Sequence, residues 1–206
     1  MSMTLPVPAT GSTPALVLRP WRADDVEALV AAHRDPVLRS HTRHPLRDAT
    51  EARRWVIRAG QGWAAGRRFS FAVCEVTGTS ERLVAHVLLK EVVPGRPDAE
   101  VGYWTAADAR GRGVASRALE ALSDWAFTRF AAAGLTRLEL LHQIDNPASC
   151  RVAEKTGYAF VEVLPARPPW PLDGHRHVRL RRTPPASTAA PASGRCPAPA
   201  VPSTAR

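Results

Sequence analysis

The sequence predicts a single α/β domain built on one mixed, mostly antiparallel sheet flanked by helices. Three observations lead there. Short alternating runs rich in Val, Leu and Phe form a meander in the middle of the chain. Helical periods precede it and follow it. After the meander the order is helix, strand, helix and two strands, which lacks the strict βαβ repetition of a doubly wound parallel sheet.

Leu16-Val17-Leu18-Arg19-Pro20 reads as a short strand ended by proline, and Ala23-Asp24-Asp25 offers acidic residues to the positive start of a helix reaching about His33. Asp35-Pro36 is expected to break that helix. A polar loop through Arg43-His44-Pro45 then leads to Asp48 or Thr50, either of which can cap a second helix carrying Trp55, Ile57 and Trp63 and closed by Gly66. Phe69 to Val76 and Leu83 to Val93, joined through Thr77-Gly78-Thr79-Ser80, read as a hairpin, and Glu100 to Thr105 as the third strand of the meander. Val114, Ala118, Leu122 and Trp125 fall on one face of a helix ended by Gly134. Arg137 to Leu141 is a strand, and Pro147 to Thr156 a short helix entered by proline and closed by Gly157. Tyr158 to Leu164 and His175 to Leu180 supply the last two strands.

The 206 residues suit one domain with tails. Residues 1–14 carry no charge and several Pro and Thr, and residues 183–206 are a Pro/Ala/Ser run, so both are expected to be disordered tails around a domain at 15–182. No signal-peptide pattern and no long apolar run is present, which points to the cytoplasm and away from the membrane. Cys74, Cys150 and Cys196 have neither metal-ligand nor disulfide-framework spacing and read as free thiols. The formal charge of +9 comes from scattered residues without an aromatic stacking platform, so nucleic acid is not the expected partner and an anionic cofactor is a better use of the charge.

The strongest chemical signal is Asp108-Ala109-Arg110-Gly111-Arg112-Gly113-Val114-Ala115, lying between a strand and a long helix. Glycines let a backbone approach a ligand closely, and the first free N–H groups of a helix face the same point, so such a turn suits a phosphate. It lacks the Lys-Ser/Thr of an ATP-binding loop and the third glycine of a dinucleotide fingerprint. Taken alone, it is equally a plain tight turn.

A second block follows about thirty residues later: Asn146-Pro147-Ala148-Ser149-Cys150-Arg151-Val152-Ala153-Glu154-Lys155-Thr156-Gly157-Tyr158. In this order and at this spacing the two blocks resemble the GNAT N-acetyltransferases, in which Arg-Gly-x-Gly opens the cofactor helix. Asn-x-x-Ser…Glu-Lys-x-Gly-Tyr is similar to the RimJ/RimL-like branch, as are Leu18-Arg19-Pro20-Trp21-Arg22…Asp25 and Glu100-Val101-Gly102-Tyr103-Trp104. The resemblance spans Leu16 to Arg182.

It implies a GNAT fold with splayed strands holding acetyl-CoA, and transfer of the acetyl group to a primary amine in a ternary complex. The acceptor is then a protein N-terminal α-amine or a small-molecule amine. By the same resemblance, main-chain amides of Arg110, Gly111, Arg112, Gly113, Val114 and Ala115 hold the CoA pyrophosphate, with the Arg110 or Arg112 side chain available as a cation. The strands around Trp104, Thr105 and Leu140 part to receive the pantetheine arm, with a main-chain N–H on the Trp104 strand facing the thioester oxygen. Asn146 bonds to pantetheine or to the neighbouring backbone, and Ser149 lies near the thioester sulfur. Glu100 is the candidate base and Ser149 the candidate acid; the alternatives are a substrate-binding or plain strand carboxylate and a helix cap. Asp108 departs from the family pattern, and a carboxylate turned inward there would repel pyrophosphate. Trp55, Trp63 and Trp125 read as core, and His142 as structural. His175 and His177 would share a strand face, but without a third ligand no metal site is expected. A homodimer is compatible with the resemblance. Two other classes stay open at this point: a non-catalytic acyl-CoA-binding regulatory module, and an aminoglycoside-type antibiotic acetyltransferase, for which Asp24, Asp25, Glu27, Asp35 and Asp48 could supply local acidity. A nucleic-acid-associated protein is a third.

Overall fold

A computed structural model describes residues 3–11 and 13–182. The expected C-terminal tail at 183–206 lies outside the described residues. The elements run β1 (Leu5–Val7), β2 (Ala15–Pro20), α1 (Val26–Ala32), α2 (Pro36–Ser40), α3 (Ala49–Ala64), β3 (Arg68–Thr77), β4 (Ser80–Lys90), β5 (Asp98–Thr105), α4 (Val114–Arg129), β6 (Arg137–Gln143), α5 (Pro147–Lys155), β7 (Ala159–Leu164) and β8 (Gly174–Leu180). They form one eight-stranded sheet in the order β1-β2-β3-β4-β5-β6-β8-β7. Every pairing is antiparallel except β5 with β6. The predicted mixed, mostly antiparallel sheet is the observed one.

Alternation along the strands sorts side chains between two layers. Leu16, Leu18, Phe71, Val73, Val101, Leu138 and Leu140 turn to α4, where Val114, Ala118, Leu119 and Leu122 complete the larger core. Val17, Ala72, Cys74 and Trp104 turn the other way, beneath Leu29 of α1 and Ala52, Trp55 and Ala59 of α3. Trp55, Trp63 and Trp125 pack as core, as expected; Trp63 and Trp125 clasp Phe69 and Phe71 with ring centroids 4.9–5.3 Å apart.

The conspicuous Arg19 and Asp25 form a buried clamp. Two guanidinium nitrogens meet the two carboxylate oxygens at 2.8 Å each, and Asp25 also accepts from the Arg22 N–H at 2.7 Å, which ties β2 to the start of α1. At the far end of the second block, α5 closes as the glycine signal indicates. Gly157 has φ 73°, its N–H donates to Glu154 O, and the Tyr158 N–H donates to Ala153 O. Tyr158 is fully buried and shares a 2.7 Å hydrogen bond with Ser123 of α4.

Two expectations are corrected. The N-terminal segment is not a free tail: Leu5–Val7 pairs with Val17 and its neighbours on β2, and Arg117 of α4 donates to Pro8 O at 2.7 Å. Pro6 has no N–H to give, which an edge strand tolerates. Asp35-Pro36 does not lead into a loop either. Asp35 accepts from the N–H groups of Val37 and Leu38, and Pro36 occupies the first turn, so the pair starts α2 instead of merely ending α1.

Candidate active site: a wedge between two parallel strands

β5 and β6 pair from Asp98↔Arg137 only as far as Val101↔Leu140. Beyond that point β5 stays with β4 through Ala85↔Thr105, and β6 stays with β8 through Gln143↔Gly174. A wedge therefore opens between Gly102–Thr105 and Leu141–Gln143. The β4–β5 ladder fixes which amides face it. The Ala106 N–H donates to Val84 O at 2.9 Å, so that opposed pair is hydrogen-bonded, and alternation assigns His86↔Trp104 and Leu88↔Gly102 to the same class. Tyr103 and Thr105 consequently turn their N–H and C=O groups into the wedge. Trp104 does not: its main chain is used by β4, and its ring packs against Trp21, His33 and His86. Of the two strand residues expected to meet the arm, Thr105 turns its main chain into the wedge and Trp104 does not, while Tyr103 does so as well.

At the wide end of the wedge, Gly111 and Gly113 have φ of 75° and 74°. A Cβ on either would meet nothing within 4 Å, so the left-handed backbone is what calls for glycine, and the space above it is open to a ligand. Gly113 is the N-cap of α4, and the N–H groups of Val114, Ala115 and Ser116 have no acceptor within the helix. The arginine side chains differ from expectation. Arg110 is paired with Asp35, and Arg112 with the buried Glu75, so neither is a free cation. Glu75 also takes Arg82 at 2.7 Å, and Arg82 holds Asp108, whose side chain is 64% exposed. The unusual carboxylate is therefore neutralised on the outside of the loop.

Past the C-terminal end of β6, Asn146 caps α5 by accepting from the Ser149 N–H at 3.2 Å. Ser149 is buried, and its Oγ accepts a 3.0 Å hydrogen bond from Tyr103 Oη. Burial pushes the Tyr103 phenol up to about 12, against the opposing pull of Ser149, so it stays protonated. Tyr103 was not singled out as a site residue in the sequence, where an aromatic in an alternating strand looks like core.

On the opposite face of the sheet, Glu100 lines a cavity of about 310 Å3 together with Glu91, Asp98, Glu139, Leu141 and residues of the β7–β8 connection. Burial raises the Glu100 carboxyl above its ordinary value, and Lys90, whose Nζ lies 2.6 Å from Oε1, pulls it back only in part. Asp98 and Glu139 are held by Arg96 and Arg137, while Glu91 sits at φ 60°, rare for a residue with a Cβ. The acidity expected from Asp25, Asp35 and Asp48 is spent elsewhere: Asp25 is clamped by Arg19, and Asp35 and Asp48 cap helices.

Residues 15–159 match the family model described as an acetyltransferase (GNAT) domain. The chain belongs to the GNAT acetyltransferase family. No curated protein sequence matches this acetyltransferase. Solved structures do. RimL, a ribosomal α-N-protein acetyltransferase in complex with coenzyme A, is 20% identical over 86% of this chain and 98% of its own, with a TM-score of 0.72. RimJ of Mycobacterium smegmatis in complex with CoA-disulfide is 22% identical over 87% and 86%, TM-score 0.70. A Salmonella typhimurium acetyl transferase, described as modifying the N-terminal serine of a ribosomal protein, is 20% identical over 87% and 100%, TM-score 0.71. The fold is theirs. This acetyltransferase uses acetyl-CoA as acetyl donor and an amine as acceptor. Its residues fit that donor, since the wedge offers unpaired strand edges to an extended arm and the glycine turn offers main-chain N–H groups to a pyrophosphate.

Proposed function

We propose that this acetyltransferase modifies the N-terminal α-amine of a protein in the cytoplasm, with Glu100 as base and Ser149, backed by Tyr103, as acid. The cavity beside Glu100 carries this reading. At about 310 Å3 it lies at the lower end of the ~300–1,000 Å3 usual for ligand pockets, which suits an amine and its first one or two residues better than a multi-ring antibiotic. The Salmonella typhimurium acetyl transferase is described as acting on a protein N-terminal serine, a substrate of this kind. Among the described residues no helix is long and apolar enough to cross a membrane, in keeping with the cytoplasmic reading.

Acetyl-CoA supplies the activated thioester. Main-chain N–H groups from Gly111 to Ala115 hold the pyrophosphate, and because Arg110 and Arg112 are already paired, the charge these amides answer comes from the helix start. Thr105 and Tyr103 offer strand-edge hydrogen bonds to the pantetheine, and one of their N–H groups faces the thioester oxygen. Asn146 fixes the turn that presents Ser149.

An α-amine has a pKa of about 7.7–8.0, against about 10.4 for lysine, so a carboxylate raised above its ordinary value is better matched to an α-amine than to lysine. Glu100 takes the proton as the amine attacks, through a water in the cavity. The Ser149 hydroxyl gives a proton to the departing thiolate as it takes one from Tyr103, which is reprotonated from solvent, while Glu100 returns the amine's proton to solvent. Most of the acceleration comes from holding amine and thioester together at the narrow end of the wedge, next to the paired stretch that carries Glu100.

A free-CoA release assay over peptides, polyamines, aminoglycosides and amino acids tests the reading. Turnover of peptides with a free, small first residue is expected, and the same peptides blocked at the N-terminus but carrying lysine should be inert. Turnover confined to polyamines or aminoglycosides would overturn it.

A further inference from the structure

Four metal-ligating side chains converge where the sequence offered only two. His142 of β6, Cys150 of α5, and His175 and His177 of β8 bring their ligand atoms within 4.8 Å of one another. We propose that His142, Cys150, His175 and His177 bind a zinc-type divalent transition metal that fastens α5 to the sheet. The proposal does not depend on the acceptor or on the assignments of Glu100 and Ser149.

Three of the six spacings are those of a coordination tetrahedron, and the others, within 4.8 Å, would close onto a bound ion. Zinc bonds of about 2.0–2.1 Å to nitrogen and about 2.3 Å to sulfur imply edges of roughly 3.3 Å between nitrogens and 3.6 Å between nitrogen and sulfur. Three of the edges observed are 3.2 Å from His142 Nε2 to His177 Nε2, 3.5 Å from Cys150 Sγ to His142 Nε2, and 3.3 Å from Cys150 Sγ to His175 Nδ1.

The protons point the same way. His142 Nδ1 lies 2.8 Å from Gln143 O and so carries the ring proton, leaving a lone pair on Nε2. His177, 2% exposed, then has no satisfied tautomer in the absence of a cation. With its proton on Nε2, the buried Nδ1 is an acceptor with no hydrogen-bond partner. With its proton on Nδ1, that buried donor has no hydrogen-bond partner either, and two imidazole lone pairs face each other at 3.2 Å. A cation between those lone pairs removes the repulsion, and the contact at Gln143 orients the His142 ring as outer partners of metal-bound histidines commonly do.

On binding, the Cys150 thiol releases its proton to solvent and coordinates as thiolate, while the three neutral imidazoles donate lone pairs; a divalent ion leaves the site with one net positive charge. The ion's charge offsets the cost of a thiolate beside three neutral imidazoles. Four protein ligands close the coordination shell, which marks a structural centre, and nitrogen and sulfur in a tetrahedron select zinc over magnesium or calcium. Cys150 directly follows Ser149, so the ion would fix the helix that carries it.

The test uses the full chain, stripped with a chelator and titrated with cobalt(II) alone. One equivalent should bind with the visible bands of tetrahedral cobalt and the near-ultraviolet thiolate-to-cobalt band, zinc should displace it, and zinc should raise the melting temperature. Cys150→Ser should abolish the thiolate band, whereas Cys196→Ser should leave it. His177→Gln and His175→Gln should each weaken zinc binding by at least the roughly 10–100-fold seen on losing an outer partner. His175 is only half-buried, so His175→Gln keeps the test available if His177→Gln does not fold. No saturable one-to-one cobalt binding by the folded wild type, binding unchanged in Cys150→Ser and His175→Gln, or a thiolate band that depends on Cys196 would each overturn the proposal.

Discussion

The Tyr103 hydroxyl on β5 donates to Ser149 Oγ on α5 at 3.0 Å, joining the strand edge that faces the wedge to the helix that follows β6. If this pair carries the proton to the thiolate, Ser149→Ala and Tyr103→Phe should each lower kcat, by up to the ~10²-fold at the low end of general-acid effects, with little change in acceptor KM. The double variant should be no worse than the poorer single one, because both interrupt one relay. Steady-state kinetics on one peptide decides; additive losses would separate the two residues.

Gly111→Glu or Gly113→Glu should abolish CoA binding in a folded protein. Each forces a residue with a Cβ to φ near 75°, at about 1–2 kcal/mol, and sets a carboxylate beside the pyrophosphate amides. Calorimetric titration with CoA, beside a circular dichroism spectrum, reads both. A folded variant with near-normal affinity would remove the loop from the cofactor site.

Asp108→Asn should leave the CoA dissociation constant within a few-fold of wild type, since Arg82 already neutralises this exposed carboxylate. A gain of tenfold or more in affinity would mean that Asp108 turns inward in solution.

How much of this was legible in the sequence differs element by element. The hairpin at Thr77–Ser80, the α4 face and the glycine stop of α5 were readable because period and turn chemistry are local. β1 was not, since a three-residue strand centred on Pro6 has the composition of a tail and is held by β2 and α4 rather than by its own pattern. Asp35-Pro36 carries opposite meanings, a stop for α1 and a start for α2, and only the side-chain caps on Val37 and Leu38 choose between them. Glycine turn, Asn146 and Ser149 came from resemblance. Tyr103 in place of Trp104 required the ladder parity, and the His/Cys cluster required the register that sets His142 opposite His175 and Leu140 opposite His177. No spacing in the chain announces a site whose ligands lie on three elements.

Acid should destabilise the fold from about pH 6.5 downward. Burial lowers His33 to about 4 and His86 to about 3, with Arg39 and Arg68 adding to the effect. A histidine whose folded pKa is depressed contributes stability above its unfolded value of 6.5, and that contribution is lost as pH falls toward the folded value. Each should cost about 1.4 kcal/mol per pH unit in that window. Asp25 acts lower: burial would raise it, but the Arg19 clamp and the Arg22 N–H hold it below the ordinary carboxylate value, so its contribution persists above about pH 4 and fails beneath. Urea unfolding at pH 7, 6 and 5 checks the sign, and stability flat across that range would contradict the buried neutral imidazoles.

The account rests most heavily on Glu100 as the base at the mouth of the cavity, and the pH dependence of kcat for wild type and Glu100→Gln on one free-N-terminus peptide tests it most directly. At neutral pH the variant should be slower by about 10²–10⁴-fold with CoA affinity nearly unchanged, and raising the pH should recover part of the loss as more of the amine becomes neutral unaided. A Glu100→Gln enzyme with wild-type saturated turnover at neutral pH, and only a raised acceptor KM, would contradict the assignment and make the carboxylate a ligand for the ammonium instead.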